Sequence, residues 1–268
     1  MRVLRLVAMG LICLVAFGVR ADAQAQNKPV QFVQLTVTTI RPAAVTDYED
    51  FLKKLNAARD KTPGAPAVLT YAVNLGGPGF TYYAFTGFEK WADREKFPNG
   101  GEMLTKVYGQ AEAARLQKTQ RDAIAQTRSE VFAYTANASL NPRANDPPAA
   151  FMNLQRNELQ PNMAAAYATA ITKITTAQQK AGDKRTIIRR NSVQGLGFTN
   201  YGVTLINRLS DRDATNPNLG EALRKAYGDA EAAQIQDVVN AAVRNRQQVF
   251  LNYRADLSHA KATPSSSN

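Results

Sequence analysis

A nine-residue run, Lys106-Val107-Tyr108-Gly109-Gln110-Ala111-Glu112-Ala113-Ala114, returns as Lys225-Ala226-Tyr227-Gly228-Asp229-Ala230-Glu231-Ala232-Ala233. The two Tyr-Gly pairs stand 119 positions apart. That period is too long for a stacked repeat unit and matches a whole small domain. The same offset relates Phe32, Leu35 and Ile40-Arg41-Pro42 to Phe151, Leu154 and Leu159-Gln160-Pro161. It also relates Tyr48, Leu52 and Leu55 to Tyr167, Ile171 and Ile174. Gly79-Phe80-Thr81-Tyr82-Tyr83 answers Gly197-Phe198-Thr199-Asn200-Tyr201 at a spacing of 118, so the second copy has lost one residue. Whatever the first half folds into, the second must fold into as well.

Hydrophobic period then assigns the elements. Phe32 to Ile40 alternates, with Val33, Leu35 and Val37 on one face, which predicts a strand ended by Pro42. Thr46-Asp47-Tyr48-Glu49 has the spacing of a capping box, opening a helix to about Asp60 that Pro63-Gly64 stops. Val68–Leu75 and Phe80–Phe88 are strands around the turn cluster Gly76-Gly77-Pro78-Gly79. A helical stretch is expected from Glu102 to about Arg128, with Gly109 either breaking it or admitting a close backbone approach. Val131–Ala136 closes the unit. The order is β-α-β-β-α-β, and it recurs after a Pro-rich linker. The expected domains are therefore 30–140 and 150–259, joined by a linker at 141–149, with a loose Ser-rich tail at 260–268.

The N-terminus is an address, not a fold element. Arg2 and Arg5 precede an apolar run from Leu6 to Val19, and Ala21-Asp22-Ala23 offers the small residues of a cleavage site. Residues 1–23 are thus expected to be a secretory signal peptide, and the protein exported to a periplasm or the exterior. The run is short for a membrane span, which needs about 20 residues. It contains the chain's one cysteine, Cys13. The mature chain would then have no disulfide, thiolate metal site or cysteine nucleophile. Its net charge falls from +11 to +9 on losing Arg2, Arg5, Arg20 and Asp22. No dense basic block accompanies that charge, so nucleic acid is not an expected partner.

A β-α-β-β-α-β unit forms a four-stranded antiparallel sheet with both helices on one face. Its open face needs a cover, and a second unit in the same chain supplies one. The expected fold class is α+β: two tandem ferredoxin-like units packed sheet to sheet as an intramolecular barrel with a central cavity. In this respect the chain resembles the dimeric α+β barrel superfamily, which includes antibiotic-biosynthesis monooxygenases, NIPSNAP-like, haem-degrading and chlorite dismutase-like proteins. The carriers are the element order and Leu-x-x-x-x-[Ile/Leu]-[Arg/Gln]-Pro at Leu35 and Leu154. Thr36, Thr38, Gln155 and Asn157 stand where the NIPSNAP-like strand has Arg and Tyr. One scaffold of this kind hosts many chemistries.

The resemblance implies two candidate chemistries. Haem-binding relatives use a histidine on the second helix, whereas the single histidine here, His259, follows the last strand. No haem, zinc or other cofactor is expected. Cofactor-independent monooxygenases of the superfamily use Asn, Trp and Tyr, for which this chain offers Asn200, Trp91, Tyr71, Tyr82 and Tyr83. The plain alternative is that these aromatics pack a sheet, with Trp91 as a lid. Glu112 and Glu231 are helical carboxylates that either reach a cavity edge or pair with cations such as Arg115.

Positions where the halves disagree carry more information, because packing alone would keep them alike. Leu69, Tyr71, Val73 and Leu75 are answered by Ile188, Arg190, Ser192 and Gln194; Tyr82 by Asn200; Val37 and Thr39 by Arg156 and Glu158. The candidate ligand-binding residues are therefore Arg190, Tyr71, Tyr82 and Asn200. Arg190 would hold an anionic group and the tyrosines an apolar or aromatic body. Alternatively Arg156, Arg190 and Glu158 pair with one another or lie at a wet edge. The function expected is binding of a small organic ligand. A cofactor-independent monooxygenase acting on a phenol or quinol, or a module with a filled core, remains open.

Overall fold

The structure, a computed structural model, describes residues 28–145, 147–195, 197–213 and 216–260. The expected signal segment and the tail from 261 lie outside these residues. Eight antiparallel strands form one closed barrel: β1 (Phe32–Ile40), β2 (Val68–Leu75), β3 (Thr81–Phe88), β4 (Ile124–Tyr134), β5 (Phe151–Leu159), β6 (Thr186–Gln194), β7 (Thr199–Ile206) and β8 (Val243–Tyr253). Around the barrel the order is β1-β3-β2-β8-β5-β7-β6-β4. Two seams join the halves. Tyr71 of β2 pairs with Tyr253 of β8, and Tyr134 of β4 pairs with Arg190 of β6. The sheets therefore meet edge to edge and share an interior, instead of lying one on the other as two layers. Closure leaves neither sheet an unpaired edge.

The helices cover the outside. They are α1 (Val45–Asp60), α2 (Trp91–Glu95), α3 (Gly100–Tyr108), α4 (Gln110–Ala123), α5 (Ala164–Lys180), α6 (Leu219–Tyr227) and α7 (Asp229–Ala242). Among the described residues none is long and apolar enough to cross a membrane. Three apolar clusters result. One fills the barrel, with Leu35, Tyr83, Phe132, Leu154 and Leu251 among its members. The other two lie between strands and helices, around Tyr48, Phe51 and Leu104 in the first half and Tyr167, Ile171 and Leu223 in the second.

The repeated nine-residue run now has a physical account. Gly109 and Gly228 have φ/ψ of 80/165° and 81/169°. That region is essentially closed to other residues, so each glycine splits its helical stretch into α3–α4 and α6–α7. The preceding tyrosines anchor the break, Tyr108 Oη donating to the Lys54 carbonyl and Tyr227 Oη to that of Lys173, both at 3.1 Å. Glu112 pairs with Lys54 at 2.8 Å and Glu231 with Lys173 at 2.6 Å. These carboxylates tie helix to helix and do not reach the barrel interior.

Three local expectations change. The second long helix ends at Ala123, not Arg128, because β1 pairs with β4 as far as Ile40 opposite Ile124. The capping box does not form: α1 starts at Val45 after the 3-10 turn Pro42–Ala44, without a side-chain cap. Thr46 is therefore already helical and Glu49 is free for other use. Strand β3 starts at Thr81, since Phe80 adopts φ 56° in the turn.

Candidate functional site: the barrel cavity

Strand alternation decides which side chains see the interior. Odd residues of β1, β2, β3, β7 and β8 and even residues of β4, β5 and β6 supply the barrel core. At the end where β1 and β5 begin, this core opens into a cavity of about 470 Å³. Its walls are mainly apolar, with Leu35, Phe85, Phe132, Leu154, Ile188 and Val203 among them. Lys28, Glu89, Asn145, Arg190 and Tyr201 are its polar lining. Such a volume matches the size and character of small-molecule sites.

Arg190 lines this cavity and is only 8% exposed. Its Nη2 donates to the Val30 carbonyl at 2.9 Å and Nη1 to that of Gln31 at 3.3 Å, with the guanidinium 5.7 Å from the Tyr134 ring centre. Burial lowers its pKa to about 10, partly opposed by the fields of Tyr134 and Glu89. It remains a cation at neutral pH. Its described partners are neutral carbonyls and a ring face, not a carboxylate. Of the alternative pairing among Arg156, Arg190 and Glu158, only the Arg156–Glu158 pair forms, Arg190 being turned instead to the Val30 and Gln31 carbonyls.

Tyr71 is fully buried in the same interior cluster but serves the mouth. Its hydroxyl donates to the Ala149 carbonyl at 3.0 Å and accepts from Asn145 Nδ2 at 3.2 Å. It thus clamps the linker, whose Ala144, Asn145 and Pro148 cover the cavity. Tyr82 and Asn200 face the other way, under the helices. Tyr82 packs at a tilt against Tyr48, with ring centres 5.4 Å apart, and donates to Glu49 Oε1 at 2.7 Å. Asn200 accepts from Tyr167 Oη at 3.2 Å and donates to Asn191 Oδ1 at 2.9 Å. Period two is the reason: Tyr83 and Tyr201, the next residues, point inward instead. Asn200 borders a separate outer hollow of about 500 Å³ beside α5. Trp91 packs on Phe32 and Phe88 outside the cavity, at 5.6 and 5.5 Å.

Beyond the cavity, toward the β2–β3 and β6–β7 turns, the interior becomes charged. Arg156 forms an ion pair with Glu158, and its Nε lies 3.9 Å from Glu130 Oε1. Arg128 lies 4.0 Å from the same oxygen. Burial raises the Glu130 carboxyl above its ordinary range, against the fields of Arg156 and Arg128. Glu130, Arg128 and Tyr201 were not among the residues singled out from the sequence. The comparison of halves would have found two of them: Glu130 and Arg128 are answered by Val249 and Gln247, 119 positions on.

Among the described residues no group of three His, Cys, Asp or Glu is placed to hold a metal ion. His259 meets Asp60 at 3.0 Å, on the outer surface.

No family model and no curated sequence matches the chain. Solved structures do. The crystal structure of an anthrone oxidase-like protein aligns over 88% of this chain and 96% of its own length, at 13% identity and a TM-score of 0.53. A candidate monooxygenase from Lactobacillus acidophilus aligns over 86% and 97%, at 12% identity and a TM-score of 0.47. A chlorite dismutase mutant from Candidatus Nitrospira defluvii aligns over 84% and 92%, at 9% identity and 0.47. The first of these likenesses places the chain in the dimeric-type α+β barrel fold.

Proposed function

We propose that this protein binds a small organic molecule in the barrel cavity, with an apolar or aromatic body inside and an anionic group facing Arg190. The observation that carries this reading is a buried guanidinium on a mainly apolar cavity, hydrogen-bonded to carbonyl oxygens and reached by the Glu89 carboxylate only through its field. A buried cation without a directly bonded anion is costly, and an anionic ligand would compensate it. The test is calorimetric titration with biphenyl-4-carboxylate and its neutral amide. The acid should bind at least tenfold more tightly, as for one charge-assisted hydrogen bond of about 1.5–3 kcal/mol. Equal affinity for the two would refute the anionic preference.

The barrel is read as two tandem ferredoxin-like units, 30–140 and 150–259, joined by 141–149. The 119-residue sequence offset and the matching Gly109 and Gly228 geometry support this. The protein is read as exported, from its N-terminal sequence alone. Mass spectrometry of the exported fraction should find a chain beginning near Gln24.

A second reading is cofactor-independent oxidation of a phenolic or quinol-like substrate. It is favoured by the aligned anthrone oxidase-like structure, whose fold is shared over nearly its full length. Anthrone and 1,4-dihydroxynaphthalene, offered with an oxygen electrode, test it. Oxygen uptake no faster than in protein-free buffer would reject it.

A further inference from the structure

Tyr201 lines the cavity at its inner limit. Along β7 the lining residues are Leu205, Val203 and Tyr201, and on β5 they stop at Leu154, two residues before Arg156. Arg156 lies directly across from Tyr201 in the sheet. Tyr201 is only 2% exposed, packs edge-on against Phe132 at 4.3 Å, and its hydroxyl has no hydrogen-bond partner. Buried tyrosine hydroxyls ordinarily have one.

The same region holds three other buried atoms in that condition: Glu130 Oε2, Arg156 Nε and Arg128 Nε. The groups acting on the Tyr201 hydroxyl are Glu130 and Arg128 from β4, Arg156 from β5 and Tyr83 from β3. Glu158 on β5 and Arg244 on β8 stand behind Arg156, with Glu158 3.6 Å from Arg244. A polar floor with unused donors and an unused carboxylate oxygen therefore closes a mainly apolar cavity. Packing alone does not account for it. An apolar side chain at each of these positions would cost less than a half-satisfied network.

We propose that this floor is a second recognition point, at which the Tyr201 hydroxyl, backed by Glu130 and Arg156, takes a hydroxyl group at the far end of the ligand. The inference rests on the anionic-ligand reading above and names its ligand class more closely: an elongated aromatic acid with a distal hydroxyl. A hydroxyl both accepts and donates, so it can meet a tyrosine donor and a carboxylate acceptor together. An ether can only accept.

The test compares biphenyl-4-carboxylate, 4′-hydroxybiphenyl-4-carboxylate and 4′-methoxybiphenyl-4-carboxylate by calorimetry. The native protein should bind the hydroxylated acid about tenfold more tightly than the other two. Tyr201→Phe should erase that preference, and Glu130→Gln should reduce it. Arg190→Met should weaken all three acids alike and keep the hydroxyl preference. Equal binding of the three acids by the native protein overturns the floor but spares the anion site. No binding of any of them overturns both. The native comparison needs no variant, so a misfolded Tyr201→Phe chain would not rescue the idea.

Discussion

Arg190 and Tyr201 face each other across the β6–β7 pair, yet their functional ends diverge. The guanidinium reaches the Val30 and Gln31 carbonyls at the mouth, whereas the hydroxyl lies in the field of Glu130 and Arg156. One strand pair thus supplies a cationic lip and a polar floor to a cavity whose remaining walls are mainly apolar.

Replacing Arg190 with Met keeps much of the side-chain volume but removes the charge and its fork of donors. Affinity for an aromatic acid should fall roughly ten- to a hundredfold. Stability should change little. The loss of two hydrogen bonds to Val30 and Gln31 is offset by removing a desolvated cation. Calorimetry and thermal melting of the same preparation check both parts. A large drop in melting temperature with unchanged affinity would make Arg190 purely structural.

Tyr71→Phe removes the clamp on the linker without opening a large void. The Ala149 carbonyl and Asn145 amide lose their partner, at a cost of about 1–2 kcal/mol. Hydrogen exchange should quicken at the amides of Ala144, Asn145, Ala149 and Ala150, and urea unfolding should shift accordingly. Unaltered exchange there would show that the prolines hold the linker unaided.

Gly109→Ala and Gly228→Ala should each destabilise by roughly 1–3 kcal/mol, since a side chain disfavours their φ near +80°. No neighbouring atom lies within 4 Å of either added Cβ, so the cost is conformational, not steric crowding. Equal losses in urea titrations are expected if both halves use the same break. A cost at one site alone would separate their roles.

Glu49 carries a pH prediction. The hydrogen bond from Arg254 holds its carboxyl below the ordinary range, with Nη1 at 2.6 Å from Oε1. A folded-state value below the unfolded one gives stability that is present above the unfolded pKa, about 4.3. That stability is lost as pH falls through the folded value. Arg254→Met should therefore lower stability at neutral pH by about 1 kcal/mol, the pair being partly exposed, and flatten the acid limb of the stability curve. Melting curves between pH 2 and 7 on both proteins check the sign.

What the sequence determined by itself was the hydrophobic period and the order of the elements. The 119-residue offset implied two like halves, and alternation in Val33, Leu35 and Val37 named an interior face of β1. Comparing the halves picked out Arg190, Arg156 and Glu158 as departures from plain packing. Tertiary structure decided what depends on strands distant in the chain. Pairing of β1 with β4 drew the strand back to Ile124, where helical period had continued to Arg128. Tyr82 and Tyr83 are adjacent and chemically alike, so only the sheet's orientation against α1 could send one outward to Glu49 and the other into the barrel. Closure at the β4–β6 seam brought the Arg190 guanidinium to the Val30 and Gln31 carbonyls and away from Glu158. It also gathered Glu130 and Tyr201, 71 positions apart, at one floor. Spacing along a chain fixes which side of its own strand a residue takes; which residues meet across a barrel depends on register and closure, and those are properties of the whole sheet.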